Sequence, residues 1–152
     1  MDTDELAFLR AVPCFQGLRT EDLRAVRRCA RRREPRIGEI IVRAGEPSAT
    51  LYLVRRGSVC LITTSAGGME RVLAVQGAGT TFNEAAVCDG GPALATARVL
   101  TADTCIDEIP AALMSHLLTA NPRLARNIVL VLARHFRCLA LLVDERSREG
   151  SA

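Results

Sequence analysis

Residues 50–75 read TLYLVRRGSVCLITTSAGGMERVLAV, and this stretch contains three β-rich runs separated by turn residues. Gly57 separates the first run from the second, and residues 65–68 form a predicted hairpin tip between the second and the third. The chain on either side, from Glu34 to Pro110, repeats the pattern of short β-rich runs with glycine at most of the breaks. Strands of this length and spacing are typical of a small antiparallel sandwich or barrel.

The composition is that of one globular domain. The chain has 152 residues, of which 49% are hydrophobic, 24% are charged and 3% are aromatic. This balance favours a single domain over residues 1–152 with an aliphatic core. All twenty basic residues are arginine, and the formal net charge of +3 does not by itself require a nucleic-acid or membrane partner. The seven arginines between Arg24 and Arg36 are interpreted as a solvated helix face that runs into an exposed strand, because no aromatic residues interleave them.

Helical patterns flank the β-rich region. Residues 1–33 are predicted to form N-terminal helices, and residues 111–148 are predicted to be helical again. In the second segment Asn121-Pro122 ends a short helix and starts a long one, since proline is favoured at the first helical position. The predicted fold class is therefore α+β: an antiparallel, jelly-roll-like β-roll at residues 34–110 with N-terminal helices and a long C-terminal dimerisation helix.

The long C-terminal helix is apolar on two sides, so it is expected to need two partners. One stripe is expected to pack on the body of the domain and consists of Leu132, Phe136, Leu139 and Val143. The other has the 4-3-4-3-4 spacing of a coiled-coil seam and consists of Leu124, Ile128, Val131, His135, Cys138 and Leu142. A second copy of the chain is the simplest partner for this seam, so we expect a homodimer.

The sequence predicts neither a membrane protein nor a secreted one. Its longest apolar runs are far shorter than the roughly 20 residues of a membrane-spanning helix, and its acidic N-terminus lacks the pattern of a signal peptide. Six cysteines are scattered without a C-x-x-C pair, as expected of reduced thiols. We therefore expect a cytoplasmic protein with no membrane partner.

Catalytic motifs are missing from the sequence. It has no Ser/His/Asp arrangement in a strand-turn-helix context, no H-E-x-x-H and no P-loop. With two histidines and no lysine, no catalytic residue and no metal site are assigned. The chain is predicted not to be an enzyme.

Four short segments carry a resemblance to a known family. Residues 82–87 read FNEAAV, residues 90–97 read GGPALATA, and residues 38–41 and 44–46 read GEII and AGE. Along the chain the segments follow one another as 38–41, 44–46, 82–87 and 90–97, and a long helix comes after them. Together they resemble the cyclic-nucleotide-binding domain, and more narrowly the sensor half of Crp/Fnr-type transcription regulators. The resemblance implies a small-molecule effector in the roll and dimerisation through the long helix. It also implies that DNA is bound only through a helix-turn-helix domain, which this chain lacks.

The phosphate-binding cassette, residues 82–97, departs from the family pattern. The family reads Phe-Gly-Glu and later Arg-Ser/Thr-Ala; its glutamate accepts a hydrogen bond from the ribose 2′-hydroxyl, and its arginine neutralises the cyclic phosphate. Here Glu84 keeps the ribose position, Asn83 replaces the glycine and Ala93 replaces the arginine. Arg98 lies five residues further on, and strand alternation places it on the opposite face. We therefore expect weak binding of cAMP and cGMP, or a different small ligand.

The other walls of the predicted pocket are apolar. The part of the long helix expected beside the base reads CLAL at residues 138–141, which has almost no hydrogen-bonding capacity. No cofactor is predicted. The residues expected to contact a ligand are Leu61, Leu73, Phe82, Asn83, Glu84, Ala85, Ala86, Ala93, Leu94 and Leu139.

Other interpretations stay open at this point. The chain could be a scaffold that binds no ligand and only dimerises or docks a partner. His135 and Cys138 are three residues apart on the proposed seam, so in a parallel dimer four metal-capable atoms could approach one another and make a haem or redox sensor. Glu84 could equally be a helix-start carboxylate satisfied by backbone N–H groups, and Asn83 a plain turn residue.

Overall fold

The structure is a computed structural model that describes the backbone of residues 3–150 and the side chains of residues 3–145. Its helices are α1 (Thr3–Ala11), α2 (Thr20–Cys29), α3 (Glu84–Asp89), α4 (Ala111–Ala120) and α5 (Pro122–Gly150), with a 3-10 turn at Pro13–Phe15. Its strands are β1 (Arg31–Arg33), β2 (Ile40–Val42), β3 (Thr50–Arg56), β4 (Ser58–Thr64), β5 (Glu70–Gly77), β6 (Thr81–Phe82), β7 (Thr96–Val99) and β8 (Cys105–Pro110).

The strands form two four-stranded antiparallel sheets. Their orders are β1-β8-β3-β6 and β2-β7-β4-β5, and the hairpin of β4 and β5 turns at the predicted tip. Gly57 joins β3 to β4 with a φ of +81°, and a Cβ at this position would collide with Thr104, so the turn requires glycine on both counts. The predicted α+β fold with an antiparallel roll is confirmed.

The roll begins earlier than predicted. β1, Arg31–Arg33, is the exposed strand expected after the arginine-rich helix, but it lies within residues 1–33, which were assigned to the N-terminal helices, and it pairs with β8 along the edge of the first sheet. Ion pairs hold this all-arginine strand in place: Arg32 pairs with Asp107, and Arg33 pairs with Glu108. The strand has no apolar residues, so apolar alternation does not reveal it. Its ion-pair partners lie about 75 residues away along the chain, so the sequence does not reveal them either.

Two clusters of buried side chains form the core. The cluster inside the roll includes Val54, Val59 and Ile106, and there the rings of Tyr52 and Phe82 stack with centroids 4.9 Å apart. The larger cluster joins the helices to the outer face of the first sheet and includes Phe15, Leu23, Leu51, Leu53, Ile109, Met114 and Leu117. The helices are therefore packed against the first sheet, which leaves the second sheet, β2-β7-β4-β5, to form a ligand site.

The structure contradicts the prediction for four residues of the two apolar stripes of α5, whereas Leu132 packs against the core as predicted. Leu124 and Ile128, which were placed on the dimer seam, are 0% and 3% exposed in the core of their own domain, so they have no surface left for a second chain. Phe136 and Val143, which were expected to pack inside, are 72% and 64% exposed. The rotation of the helix is set by Asn127, whose side-chain amide donates to the backbone carbonyls of the 3-10 turn region.

The second half of α5 extends beyond the body of the domain. Val131 and Leu142, also predicted on the seam, are half-buried, whereas the apolar side chains of Phe136, Leu141 and Val143 are exposed.

Between residues 3 and 150, no helix combines the length and the hydropathy that a membrane crossing requires.

A candidate ligand site in the roll

An apolar cavity opens between the second sheet, α3 and α5. Its volume is about 290 Å³, which is close to the small end of the roughly 300–1,000 Å³ that is usual for ligand sites. Leu94 and Phe136 form part of its exposed rim. Most of the residues predicted to contact a ligand line this cavity: Leu61, Leu73, Phe82, Asn83, Glu84, Ala85, Leu94 and Leu139.

Two predicted contacts do not line the cavity. Ala86 and Ala93 are each 3% exposed, and the methyl group of Ala93 packs into the interior cluster of the roll. The backbone of Ala93 is held by hydrogen bonds to Gly45 and Glu46 on the neighbouring loop. The position where the family has arginine is therefore part of the packed interior and is not among the residues that line the cavity.

Several lining residues escaped the sequence analysis. His135 and Cys138 were assigned to a dimer seam, and the structure places both among the residues that line the cavity. The spacing of three residues put both on one helix face, but it could not show which body that face contacts. The other lining residues that were not assigned to the ligand are apolar, and nothing in the sequence separates a cavity wall from a core position for them: Val42, Ala74, Ala95, Leu132 and Phe136.

Asn83 makes the turn into α3. Its φ of 75° and ψ of 23° lie in the left-handed region, where asparagine is better tolerated than most residues, so it can stand in for the family's glycine. Its side-chain Nδ2 donates to Ser48 Oγ at 2.8 Å and to the Thr50 carbonyl at 2.9 Å. Both amide hydrogens are therefore used to attach the cassette to the start of β3, and neither is left for a ligand.

Glu84 is the carboxylate of the cavity and is 3% exposed. Thr81 Oγ1 donates to its Oε1 at 2.7 Å, and its Oε2 lies 3.9 Å from His135 Nδ1 on α5, which is beyond hydrogen-bond distance. Burial raises the pKa of this carboxyl, and the Thr81 hydrogen bond, its own backbone N–H and the His135 imidazole partly oppose that rise. One oxygen is thus held by the protein, and the other lies between α3 and α5.

The cavity has no guanidinium group among the lining residues that the structure describes. Arg98, the nearest arginine after Ala93 in sequence, is on the outer face of β7, where its Nη2 pairs with Glu70 at 3.1 Å. This is the placement that strand alternation predicted. His135 is the residue in the lining that can carry a positive charge, and it already faces Glu84.

Thiol and metal chemistry has little support at this site. Burial and the nearby Glu84 charge raise the pKa of Cys14 to about 12, so this buried thiol stays protonated. Cys138 is exposed at the wall of the cavity. Over the described residues, no group of three or more His, Cys, Asp or Glu side chains is arranged to hold a metal ion. A site shared between two copies of the chain remains a prediction.

Comparisons with known proteins agree with this geometry. A family model described as the cyclic nucleotide-binding domain matches residues 32–121. The cyclic AMP receptor protein of Thermus thermophilus is 33% identical over 141 residues, which are 93% of this chain and 65% of that protein. The cAMP-activated global transcriptional regulator CRP of Haemophilus influenzae is 37% identical over 98 residues, which are 64% of this chain and 43% of that protein.

A solved structure shows the same arrangement of elements. The crystal structure of the Thermus thermophilus catabolite activator protein aligns with a TM-score of 0.77 at 33% identity, over 89% of this chain and 63% of that one. The chain thus spans less than two thirds of the length of each of these relatives.

Proposed function

The chain belongs to the cyclic nucleotide-binding domain family, and on that premise we propose that it is the ligand-sensing regulatory domain of a Crp/Fnr-type transcription regulator. We propose further that cAMP and cGMP bind it weakly and that a small ligand of lower charge occupies the roll. The observation that carries this is the charge of the cavity: Glu84 is buried in its wall, and Ala93 stands where the family has arginine.

The expected loss of cyclic-nucleotide affinity follows from the missing ion pair. Removing one member of a buried ion pair costs about 3–5 kcal/mol. The dipole of a helix N-terminus, typically about 0.3–1 kcal/mol, acts with or without the arginine and so does not offset this cost, and α3 has only six residues. The cost corresponds to an affinity lower by at least about 10² than that of a site with its arginine, because about 1.4 kcal/mol is a factor of ten.

Ligand binding would act through the contact between α3 and α5. Glu84 on α3 and His135 on α5 lie 3.9 Å apart in the wall of the cavity, so a ligand that contacts either of them changes how the cassette sits against the long helix. Such a ligand shifts the population of two arrangements by its differential affinity for them, and no chemical step is needed. The proposed role is therefore regulatory and not catalytic.

The proposed partner is a second copy of the chain. The exposed apolar side chains of Phe136 and Val143 are seven residues apart and therefore share one face of α5, and a second α5 would cover them. DNA would be contacted through a further domain outside these residues. If the roll binds no ligand, the same helix makes the chain a dimerising scaffold.

The test is a calorimetric titration of the purified chain with cAMP and cGMP, repeated on two variants that restore a guanidinium. Ala93→Arg returns it to the family position, and Leu94→Arg places it on the rim without disturbing the packed interior. We expect weak or no heat from the natural chain, and a gain of roughly 10²-fold in cAMP affinity in at least one variant.

A matched control separates this effect from overall charge. Ala66→Arg adds the same charge at the exposed tip of the β4–β5 hairpin and is expected to leave cAMP binding unchanged. Micromolar or tighter binding of cAMP by the natural chain would contradict the proposal. If no ligand is found by native mass spectrometry and neither variant responds, the scaffold is the better description.

A further inference from the structure

We propose that Glu84 and His135 form a pH-sensitive contact, which holds the cassette helix α3 against the long helix α5 when the imidazole is charged and releases it when the imidazole is neutral. This response to protons goes beyond the ligand sensing proposed above and requires no ligand. Three observations carry it: the distance between the two side chains, the difference in their burial, and the attachment of both helices to the rest of the domain.

The two side chains are close enough for an ion pair but too far apart for a hydrogen bond. His135 Nδ1 lies 3.9 Å from Glu84 Oε2, whereas Glu84 Oε1 accepts a hydrogen bond from the Thr81 hydroxyl at 2.7 Å. The attraction across the gap therefore depends on the charge of the imidazole. The side chain of Glu84 is 3% exposed and that of His135 is 38% exposed, so the imidazole exchanges its proton with solvent while the carboxylate stays in the interior.

Burial makes the Glu84 carboxylate dependent on its neighbours. A charge that is taken out of water is costly unless a partner compensates it. Burial raises the pKa of Glu84, whereas the Thr81 hydrogen bond, the backbone N–H of Glu84 and the His135 charge oppose that rise. When the imidazole is neutral, the carboxylate keeps its hydrogen bonds and loses the positive charge beside it. The arrangement in which α3 packs against α5 then becomes less favourable.

The direction of the response follows from linkage between proton binding and packing. Histidine changes its charge between about pH 5 and about pH 8. An imidazolium beside a carboxylate is more stable than one apart from it, so the packed arrangement takes up the proton more readily. A fall in pH through that range therefore fastens α3 to α5, and a rise releases it. The lower limit of the response is the protonation of Glu84, whose pKa lies above 4.5.

Both helices are also held by amide side chains, which do not titrate. Asn127 attaches the first half of α5 to the 3-10 turn region, and Asn83 attaches the start of α3 to the loop before β3 and to its first residue. His135 lies about two turns beyond Asn127 along α5. Loss of the ion pair therefore leaves the roll folded and loosens the short α3 against the second half of α5.

Thiols are the other titratable groups around the pair, and two of them feel the Glu84 charge. Burial and the Glu84 charge raise the pKa of Cys14 in the 3-10 turn to about 12. Burial, Glu84 and Asp89 raise the pKa of Cys88 on α3 above its ordinary value of 9.0. Both thiols therefore stay neutral in the range where histidine titrates. Cys138 on α5 also lines the cavity, and the variants described below keep it.

The charged side chains on the surrounding elements lie outside the cavity lining. On the helices they are exposed: Asp89 on α3, His116 on α4, and Arg134 and Arg137 on α5. On the second sheet, Arg98 pairs with Glu70 on the outer face, and Arg71 on β5 lies opposite Thr63. Within the described part of the lining, Glu84 and His135 are therefore the carboxylate and the imidazole that meet.

The test is amide hydrogen exchange of the natural chain, without added ligand, at about pH 6 and about pH 8, with rates corrected for the intrinsic effect of pH on exchange. The amides of Val87 and Gly90 report on α3, since they donate to the carbonyls of Asn83 and Ala86. We expect them to be about fivefold or more better protected at the lower pH, which is the lower end of usual coupling between sites.

Variants of the two histidines assign the response. His135→Gln carries no charge, so weak protection is expected at both pH values. His135→Arg keeps its charge at both, so strong protection is expected at both. His116→Gln, at the other histidine of the chain and exposed on α4, is the matched control and should respond to pH as the natural chain does.

Equal protection of α3 at the two pH values in the natural chain would overturn the proposal. A pH response that survives in His135→Gln would overturn it too, because the response would then belong to a thiol or to His116. Neither result touches ligand sensing, since no ligand is added, and a silent titration with cyclic nucleotides leaves the pH response standing. Should His135→Arg fail to fold, the natural chain, His135→Gln and His116→Gln carry the same test.

Discussion

At the scale of single residues, the cassette is held in place by side chains that also shape the cavity. Asn83 adopts a left-handed backbone and attaches the turn to Ser48 and Thr50, while Thr81 fixes one oxygen of Glu84. These contacts are all made by groups of the protein itself, so the acceptor that faces the cavity is preorganised. Preorganisation of this kind lowers the cost of binding, because fewer groups have to be ordered when the ligand arrives.

Substitutions at Asn83 separate backbone strain from hydrogen bonding. Asn83→Gly and Asn83→Ala both lose the two side-chain hydrogen bonds, each worth about 0.5–1.5 kcal/mol, but only alanine must also strain to reach a φ of 75°. We expect Asn83→Ala to be less stable than Asn83→Gly by about 1 kcal/mol or more. Urea unfolding of the two variants measures the difference, and equal stabilities would contradict the left-handed turn.

The burial of Glu84 predicts a pH dependence of stability. The pKa of Glu84 is raised in the folded protein above the ordinary value of 4.5. Protonation of this carboxyl therefore stabilises the folded protein below about pH 4.5, and this stabilisation is lost as the pH rises through the pKa of the folded state. Glu84→Gln removes this titration. We expect the variant to gain stability relative to the natural chain as the pH rises above about 4.5, measured by urea unfolding at several pH values. A constant difference would show that Glu84 is not buried as a carboxylate.

At the scale of elements, the rotation of α5 decides what the cavity contains. The Asn127 side-chain Nδ2 donates to the carbonyls of Cys14 at 3.1 Å and Gln16 at 2.8 Å, and it turns the face with Leu124 and Ile128 toward the core. The same rotation carries His135 into the cavity, two turns further along. A ligand that moves α3 against α5 must therefore act on a helix whose first half is fixed to the 3-10 turn.

This attachment can be tested with one substitution on α5. Asn127→Ala leaves two carbonyls of the 3-10 turn region without their shared donor, and Asn127 is 7% exposed, so water reaches them poorly. We expect a loss of about 1–3 kcal/mol in the free energy of unfolding and faster amide hydrogen exchange in the first half of α5. Arg126→Ala, at the neighbouring exposed position, should stay within about 0.5 kcal/mol of the natural chain.

The sequence predicted the roll more accurately than the packing of its helices. Glycines and alternating runs specify local turns and strands, so β3, β4 and β5 could be placed within a few residues. The two stripes of α5 were both visible, but periodicity contains no information on which stripe the body of the domain covers. The orientation of the helix depends on hydrogen bonds from the buried Asn127 amide to backbone carbonyls more than 110 residues away. For the same reason the sequence identified Glu84 as a residue of the ligand site but did not identify His135 as its neighbour there.

At the scale of the whole molecule, ion pairs tie the N-terminal segment to the roll. Asp107 is 1% exposed and pairs with Arg32 on β1 and with Arg55 on β3, while Glu5 on α1 also pairs with Arg55. Arg55 lies 4.5 Å above the ring of Phe8 as well. The interpretation of the arginine-rich segment as a solvated face is therefore only partly right: some of its members are structural cations, and others, such as Arg24, are exposed.

The exposed end of α5 predicts how copies of the chain associate. Val143 is 64% exposed on the part of the helix beyond the cavity, and burying a valine contributes about 1.5–3 kcal/mol. In a symmetric dimer the residue is present twice, so Val143→Glu should raise the dimer dissociation constant by about 10²–10⁴. Sedimentation velocity over a range of concentrations measures this. Met69→Glu, at an exposed apolar position on the β4–β5 hairpin, is the matched control and should leave the dissociation constant unchanged. If the natural chain sediments as a monomer at all concentrations, α5 is not a dimer interface. If Val143→Glu dimerises as the natural chain does, the contact lies elsewhere on the molecule.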